Sequence, residues 1–214
     1  MFSMAYANLM RLHPAGFSAE ITLKALLLLQ STVQELVQGQ YLDMAFETRA
    51  EVSAADYWQM INGKTAALLS CCCQLGALLA GADPLREAHL ARYGRSLGLA
   101  FQVVDDWLGI WGDAAVTGKA VGSDLTSRKK TIPILHGLEH SAAFRQRWEA
   151  GFSEDDVPEL AGILSADGAR QHTEDLAEEL TQQALESLAL AFPQPNPHSE
   201  VLRELALTLT RRDH

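Results

Sequence analysis

The sequence predicts an all-α fold, a helical bundle with unusually long central helices. Three observations favour it. Apolar residues recur at helical spacing through most of the 214 residues, caps and breakers divide the chain, and no stretch alternates as a half-buried strand would. The length suits one sizeable core or two small ones, and we expect a single helical domain over residues 1–214.

The helices of the first half are marked by capping side chains and by proline or glycine at their ends. They are predicted at residues 2–12, 18 to about 47, and 53–79. Ser18 and Ser53 are good N-caps because a serine hydroxyl can accept a hydrogen bond from a free backbone N–H. The second helix would be on the order of 40 Å long at 1.5 Å per residue.

A fourth helix holds apolar residues at helical spacing from Leu90 to Trp111, and a glycine-containing loop begins at Gly112. Thr131 opens the next helix, with Pro133 in the first turn, where its missing N–H costs nothing. Later signals are two serine caps, a proline-rich break and a final short helix. They lie at Ser153, Ser165, residues 192–198 and residues 200–210.

Composition argues against several classes of function. There are 17 basic and 27 acidic residues, a formal charge of −10, so the chain is a poor partner for nucleic acid or an anionic membrane. Three consecutive cysteines, residues 71–73, cannot close on one metal, and we expect them to be small buried residues in a reducing compartment. Residues 65–82 carry no charge but fall short of a membrane span, which predicts a buried bundle helix. We therefore expect a cytoplasmic protein.

Polar residues interrupt the apolar helices at three places. They are Gln40 with Asp43, Lys64 with Thr65, and the run FQVVDD at residues 101–106. Gln40 and Asp43 are three residues apart and share one helix face. Asp105 and Asp106 are adjacent carboxylates with no cation in the same turn, which is costly in a core unless something positive meets them.

A divalent metal is the natural partner for these carboxylates, because Mg²⁺ prefers hard oxygen ligands and takes one or two carboxylates together with substrate phosphates. The following loop holds Lys119, and the densest basic run, residues 128–130, comes next. Carboxylates and metal on one wall with lysines on the other would clamp a diphosphate. Each pattern alone is more often a solvated face or loop. Only their order and spacing favour the clamp.

The chain carries, in order, GQYLD, KT, FQVVDD, GD, TGK, GSDL and KKT, followed by a proline and an apolar helix. This series resembles the trans-isoprenyl diphosphate synthases, or polyprenyl synthetases, over almost the whole chain. The resemblance implies an isoprenoid-synthase-type helical bundle around a deep prenyl pocket, usually dimeric. It also implies Mg²⁺-dependent transfer of an allylic group to isopentenyl diphosphate.

The resemblance implies roles for the charged residues. Asp105 would be the direct Mg²⁺ ligand, and Asp106 would support it through water or hydrogen bonds. An allylic diphosphate of the geranyl or farnesyl type would be bound by Lys64, Lys119 and Lys129. Ionising the C–O bond builds charge on the leaving diphosphate, which metal ions and lysines stabilise.

The resemblance also implies roles for neutral residues and for the first polar pair. Thr65 and Gln102 would offer oxygen dipoles to the allylic cation, which needs a dry pocket to avoid capture by water. Gln40 and Asp43 would line the same pocket near the metal-bound waters. Phe101 would pack against the isoprenoid carbons.

The chain departs from the family pattern in two ways. Gly109 stands where the second aspartate-rich motif normally has a third aspartate, which predicts weaker metal affinity. Residues 1–42 contain neither the first aspartate-rich motif nor the basic residues that precede it, and no aspartate at all. The chain therefore resembles the C-terminal two-thirds of a synthase, without the N-terminal helices, and we expect little or no chain elongation by it alone.

Three hypotheses stay open at this point. The first is a truncated synthase homologue that still binds an allylic diphosphate or pyrophosphate with Mg²⁺. The second is a non-catalytic partner subunit that pairs with a full-length synthase. A monodisperse monomer in a size measurement would argue against this second hypothesis. The third is a class I terpene cyclase, ranked last because its second metal motif joins Asn, Ser or Thr and Glu rather than paired aspartates.

Overall fold

The computed structural model describes residues 2–113, 118 and 121–210, and it confirms the all-α fold. Eleven α-helices cover most of this part, and no strand occurs in it. They are α1 (Phe2–Met10), α2 (Ala19–Thr48), α3 (Ala54–Ile61), α4 (Ala67–Leu79), α5 (Pro84–Trp111), α6 (Ser123–Thr126), α7 (Ile132–His140), α8 (Ala142–Ala150), α9 (Val157–Ala166), α10 (Ala169–Ala191) and α11 (Pro197–Thr210). A π-helical segment (Asn62–Ala66) joins α3 to α4, and a 3₁₀ turn (Glu154–Asp156) precedes α9.

Side-chain caps fix where the long helices begin. The Ser18 hydroxyl accepts a hydrogen bond from the Ile21 N–H at 3.2 Å, and α2 starts one residue later. Ser53 and Asp56 cap α3 reciprocally, since each side chain accepts from the other's backbone N–H. Asp83 caps α5, with Pro84 at the first helical position. The predicted caps at Ser18 and Ser53 are confirmed.

α5 is the central helix of the bundle and packs chiefly against α10 and α4. It can approach α4 closely because glycines face that helix. A Cβ on Gly94 would lie 2.4 Å from the carbonyl oxygen of Leu69, and one on Gly98 would lie 2.6 Å from the Cα of Ala66. These glycines bring the backbone of α5 against the π-helical segment, which carries Lys64 and Thr65.

The structure corrects the predicted continuous helix over residues 53–79. The π-helical segment interrupts it, where the hydrogen bonds widen for one turn. α2 crosses this turn through a pair of glycines: a Cβ on Gly39 would lie 2.2 Å from the backbone nitrogen of Lys64. A Cβ on Gly63 would lie 2.7 Å from the carbonyl oxygen of Glu35. The backbones therefore touch beside Lys64.

Three further expectations need correction. Ser165 is not a cap but lies inside α9, where its hydroxyl donates to the carbonyl oxygen of Ala161. Of the three free cysteines only Cys71 is buried, while Cys72 is exposed and Cys73 is partly buried. Likewise α4 is not buried all round, since Leu68 is exposed. Among the helices described, none is long and apolar enough to cross a membrane.

Candidate active site

A buried carboxylate is the centre of the polar network between α3, α5 and α7. Asp106 is 1% exposed, and its Oδ2 accepts hydrogen bonds from the Tyr57 hydroxyl at 2.5 Å and the Ile132 N–H at 3.3 Å. Its Oδ1 accepts from Gln102 Nε2 at 3.0 Å. Burial raises the pKa of Asp106 despite these bonds and the nearby Lys129. The carboxylate is therefore rigidly held in a costly environment.

The network continues from α5 to the π-helical segment. The Thr65 hydroxyl donates to Gln102 Oε1 at 2.9 Å, so one amide side chain connects Thr65 with Asp106. Thr65 and Gln102 are both partly exposed, whereas Asp106 lies behind them. The two residues predicted to face the allylic cation are thus brought together by direct contact.

Lys64 and Lys129 reach the site from different elements, and both are influenced by the Asp43 carboxylate. Lys64 Nζ donates to Asp43 Oδ2 at 2.5 Å, and both side chains are largely shielded from solvent. Burial lowers the pKa of Lys129, but nearby carboxylates outweigh this effect and the pKa is raised. The carboxylates, in decreasing order of effect, are those of Asp106, Asp124, Asp43 and Asp105.

The basic run at residues 128–130 is divided among three environments. Arg128 adopts a left-handed backbone, with φ of 53°, and its guanidinium lies 4.6 Å from the Trp148 ring centroid. Lys130 Nζ donates to the carbonyl oxygen of Phe46 at 2.8 Å. Of these three residues, Lys129 is the one whose pKa is raised by the carboxylates of the site.

Two cavities contain residues that the sequence predicted for the site. One of about 370 Å³ lies between α2 and the basic run, and its lining includes Asp43, Met60 and Lys129. The other, of about 390 Å³, is walled by apolar side chains of α4, α5 and α11, and Phe101 lies in its wall. The structure thus places a charged cavity beside Asp43 and a hydrocarbon-lined cavity beside Phe101.

The remaining predicted residues are placed as follows. Asp105 is partly buried, and its charge raises the pKa of Lys129. Gln40 is exposed on α2 and stands apart from the hydrogen bonds described above, although Asp43 joins them one turn later. Lys119 lies outside the described residues.

Two side chains of the site have no assigned role from the sequence. Tyr57 lies two turns before Lys64, is buried, and donates a hydrogen bond from its hydroxyl to Asp106. Its pKa is raised well above the usual range, first by burial and then by the charge of Asp106. A tyrosine inside a core helix could have indicated this contact, because a buried hydroxyl usually finds a hydrogen-bond partner. Asp124, in the GSDL motif, is buried and lies within the same group of charges.

The donor set suits Mg²⁺ together with a phosphate ligand. Its acidic members offer hard carboxylate oxygens, and ammonium groups stand beside them. Within residues 2–113, 118 and 121–210, no three His, Cys, Asp or Glu side chains are arranged to hold a metal alone. Mg²⁺ commonly completes its coordination with substrate phosphates and water, so Asp105 with its neighbours fits a metal–diphosphate complex.

An all-α bundle in which lysines and carboxylates are grouped around a buried aspartate is typical of the isoprenoid synthase class. The polyprenyl synthetase family model matches residues 1–162, and the chain belongs to this family. It is 40% identical over 182 residues to a geranylgeranyl diphosphate synthase of Mycobacterium tuberculosis, covering 82% of this chain and 52% of the relative. A short chain isoprenyl diphosphate synthase of Methanothermobacter thermautotrophicus is 32% identical over 218 residues, covering 100% of this chain and 65% of that protein.

Solved structures agree with this assignment. The polyprenyl synthetase from Streptomyces coelicolor A3(2) superimposes with a TM-score of 0.81 and 34% identity over 97% of this chain and 62% of that one. A geranylgeranyl pyrophosphate synthase from Corynebacterium glutamicum, complexed with isoprenyl diphosphate and magnesium, superimposes with a TM-score of 0.83. The two are 31% identical, and the match covers 94% of this chain and 59% of that one. The chain spans about half the length of the first curated relatives it matches.

Proposed function

We propose that this chain binds an allylic diphosphate with Mg²⁺ and takes part in prenyl transfer to isopentenyl diphosphate. The observation that carries the proposal is the Lys64–Asp43 ion pair together with Lys129, which lines the same cavity as Asp43 and whose pKa is raised chiefly by Asp106. The Mycobacterium tuberculosis relatives, named geranylgeranyl and farnesyl diphosphate synthases, support this substrate class.

The chain's own residues would divide the work between the two ends of the substrate. Lys64 and Lys129 would hold the diphosphate oxygens, and Asp105 would hold Mg²⁺, with Asp106 behind it. Mg²⁺ supplies positive charge that stabilises the leaving diphosphate. Thr65 and Gln102 would present oxygen atoms to the allylic carbon.

The apolar cavity suits the other end of the substrate. Phe101 and the leucines of α4, α5 and α11 would cover the hydrocarbon chain and exclude water from the reacting carbon. Gln40, which is exposed on α2, would line the same pocket near the metal-bound waters.

Calorimetry with pyrophosphate tests the proposal directly. We expect binding that strengthens on addition of Mg²⁺ and that weakens by about tenfold or more in Lys64→Ala and in Lys129→Ala, because each removes a charge-assisted contact. Lys24→Ala is the matched control, because Lys24 is an exposed lysine that pairs with Glu20 in the same helix. Equal affinity in all four proteins, or no Mg²⁺ dependence in the unaltered chain, would contradict the proposal.

We also propose that α2 pairs with a second copy of the chain. Its exposed apolar side chains lie on one helix face, at helical spacing. They are Leu23, Leu27, Val37, Tyr41 and Met44. Such a stripe on a long helix indicates an interaction surface.

Sedimentation analysis checks the pairing. We expect a concentration-dependent dimer that Leu27→Glu weakens, because the charge would be buried in the apolar contact. Val201→Glu, at an equally exposed position on α11, should leave the dimer intact. A monodisperse monomer at all concentrations would exclude the pairing.

A further inference from the structure

Arg128 has a backbone conformation that residues with a side chain rarely adopt. Its φ of 53° is in the left-handed region, where the Cβ of an L-residue comes too close to the following carbonyl oxygen. Among the residues that the structure describes, the other positive φ angles all belong to glycines. A residue other than glycine keeps such a conformation only when its surroundings hold it there.

The left-handed residue belongs to the turn that ends α6. The Arg128 N–H donates to the carbonyl oxygen of Leu125 at 2.9 Å. The Lys129 N–H donates to the carbonyl oxygen of Asp124, also at 2.9 Å. With Ser127 as the C-cap, these two bonds form a Schellman motif, in which the position of Arg128 is usually occupied by glycine. Because Asp124 and Leu125 are buried, the turn is anchored in the interior.

The side chain of Arg128 is held by three contacts at the end of α8. Its Nη2 donates to the carbonyl oxygen of Trp148 at 2.5 Å. The guanidinium carbon lies 4.6 Å from the Trp148 ring centroid and 5.0 Å from that of Phe152, distances at which a ring face attracts a cation. Trp148 is itself buried in a core cluster with Phe144. The contacts therefore attach the left-handed turn to a fixed part of the bundle.

The residue that follows this turn is Lys129, the lysine of the site. Lys129 lines the cavity that also contains Asp43, and its pKa is raised chiefly by Asp106. Arg128 borders the same cavity, but its guanidinium donates to Trp148. Two adjacent cationic residues thus have different partners, and the left-handed turn sets the direction in which the chain carries the second one.

We infer that Arg128 is a positioning residue for Lys129: its contacts with Trp148 and Phe152 hold the left-handed turn that directs Lys129 to the site. This inference rests on the proposed function for the role of Lys129 toward the diphosphate. It gives Arg128 no contact with the substrate.

Two substitutions of Arg128 separate positioning from a direct effect of its charge. Both Arg128→Ala and Arg128→Gly remove the charge and the contacts with α8, but only alanine keeps a Cβ that is unfavourable at this φ. We expect Arg128→Ala to weaken Mg²⁺-dependent pyrophosphate binding in calorimetry by about tenfold, as loss of Lys129 would. Arg128→Gly should stay within about threefold of the unaltered chain, because glycine adopts the turn without being held. Equal losses in the two variants, or normal binding by a folded Arg128→Ala, would overturn the inference.

Acetylation of lysines, followed by mass spectrometry, tests the inference without a ligand and decides it if Arg128→Ala fails to fold. We expect Phe152→Ala to raise the acetylation rate of the partly buried Lys129, relative to the exposed Lys24, by about fivefold or more, because the turn is released. In the Arg128→Gly background the same substitution should change this rate by less than about twofold. An equal rise in both backgrounds, or no rise in either, would count against positioning.

Arg86→Ala is the matched control for loss of a cation from an aromatic ring. The Arg86 guanidinium lies 5.9 Å from the Phe192 ring centroid, but the residue belongs to the first turn of α5. Its removal should leave both pyrophosphate binding and the acetylation rate of Lys129 unchanged. Absence of pyrophosphate binding in the unaltered chain would overturn the proposed function, whereas the acetylation rates would still decide the role of Arg128.

Discussion

Asp106→Asn is expected to stabilise the fold at neutral pH while weakening Mg²⁺-dependent pyrophosphate binding by about tenfold or more. Burial raises the pKa of Asp106, so the folded chain bears the cost of a buried carboxylate at neutral pH. Asparagine carries no charge and keeps one acceptor oxygen for Tyr57 and Ile132. Its NH₂ group replaces the oxygen that accepts from Gln102 Nε2, so the Gln102 amide has to flip to accept from it. The site loses a charge that acts on Lys129 and supports Asp105, and loss of such a supporting partner typically costs about 10–100-fold in metal affinity.

The pH dependence of this stability difference has a definite sign. Because the pKa is raised on folding, the cost is absent below the unfolded value, near 3.8, and develops as the pH rises through the higher folded value. In thermal unfolding from pH 4 to pH 8, the melting temperature of the variant relative to that of the unaltered chain should therefore increase as the pH rises. A variant less stable at every pH would show that the carboxylate stabilises the fold.

Asp56→Asn is the matched control and should behave in the opposite way. Hydrogen bonds from the Ser53 backbone and side chain lower the pKa of Asp56, so its contribution to stability is present above pH 3.8 and is lost as the pH falls through the lowered value. This variant should unfold at a lower temperature at neutral pH. It should bind pyrophosphate normally, because Asp56 lies in the capping box of α3.

The helix starts could be predicted wherever a side chain caps the backbone. Ser18, Ser53 and Asp83 each accept a hydrogen bond from the first turn, a local interaction that sequence alone reveals. Ser165 could not be assigned in this way, because a serine hydroxyl inside a helix can instead bond the carbonyl four residues earlier, as it does to Ala161.

The π-helical segment could not be predicted, because its cause lies in tertiary contact. Residues 62–66 have no distinctive local composition, and the widened turn occurs where the backbones of α2 and α5 press against it through Gly39 and Gly98. Glycine can mark close approach, but the sequence does not say which glycine meets which helix. The placement of Lys64 therefore depends on contacts far apart in the chain.

The charged residues of the site were easier to predict than their surroundings. Asp106 was indicated because a carboxylate inside an apolar helix needs a partner, whereas Lys64 and Lys129 were indicated by their order along the chain and by the family resemblance. The partner of Asp106 is a tyrosine 49 residues earlier, and no local pattern connects the two. Similarly, only the fold shows that Arg128 turns to Trp148 while Lys129 turns inward.

Gly39→Ala is expected to have the largest effect on stability. The added Cβ would lie 2.2 Å from the backbone nitrogen of Lys64 and 2.6 Å from the carbonyl carbon of Gly63. Both atoms are main chain, so no flexible side chain can move aside and the helices must separate. We expect a loss of about 3 kcal/mol in the free energy of unfolding, the upper part of the range for overpacking.

For a chain of this length such a loss lowers the melting temperature by about 6–12 °C. Separation of α2 from the π-helical segment should also lengthen the contact between Lys64 and Asp43, so Mg²⁺-dependent pyrophosphate binding should weaken as stability falls. Gly76→Ala is the matched control, because nothing lies within 4 Å of a Cβ built at this position. Replacing glycine by alanine in an exposed helix raises the free energy of unfolding by about 0.5–1 kcal/mol. A similar increase in the free energy of unfolding in Gly39→Ala and Gly76→Ala would show that α2 and the π-helical segment are not in backbone contact.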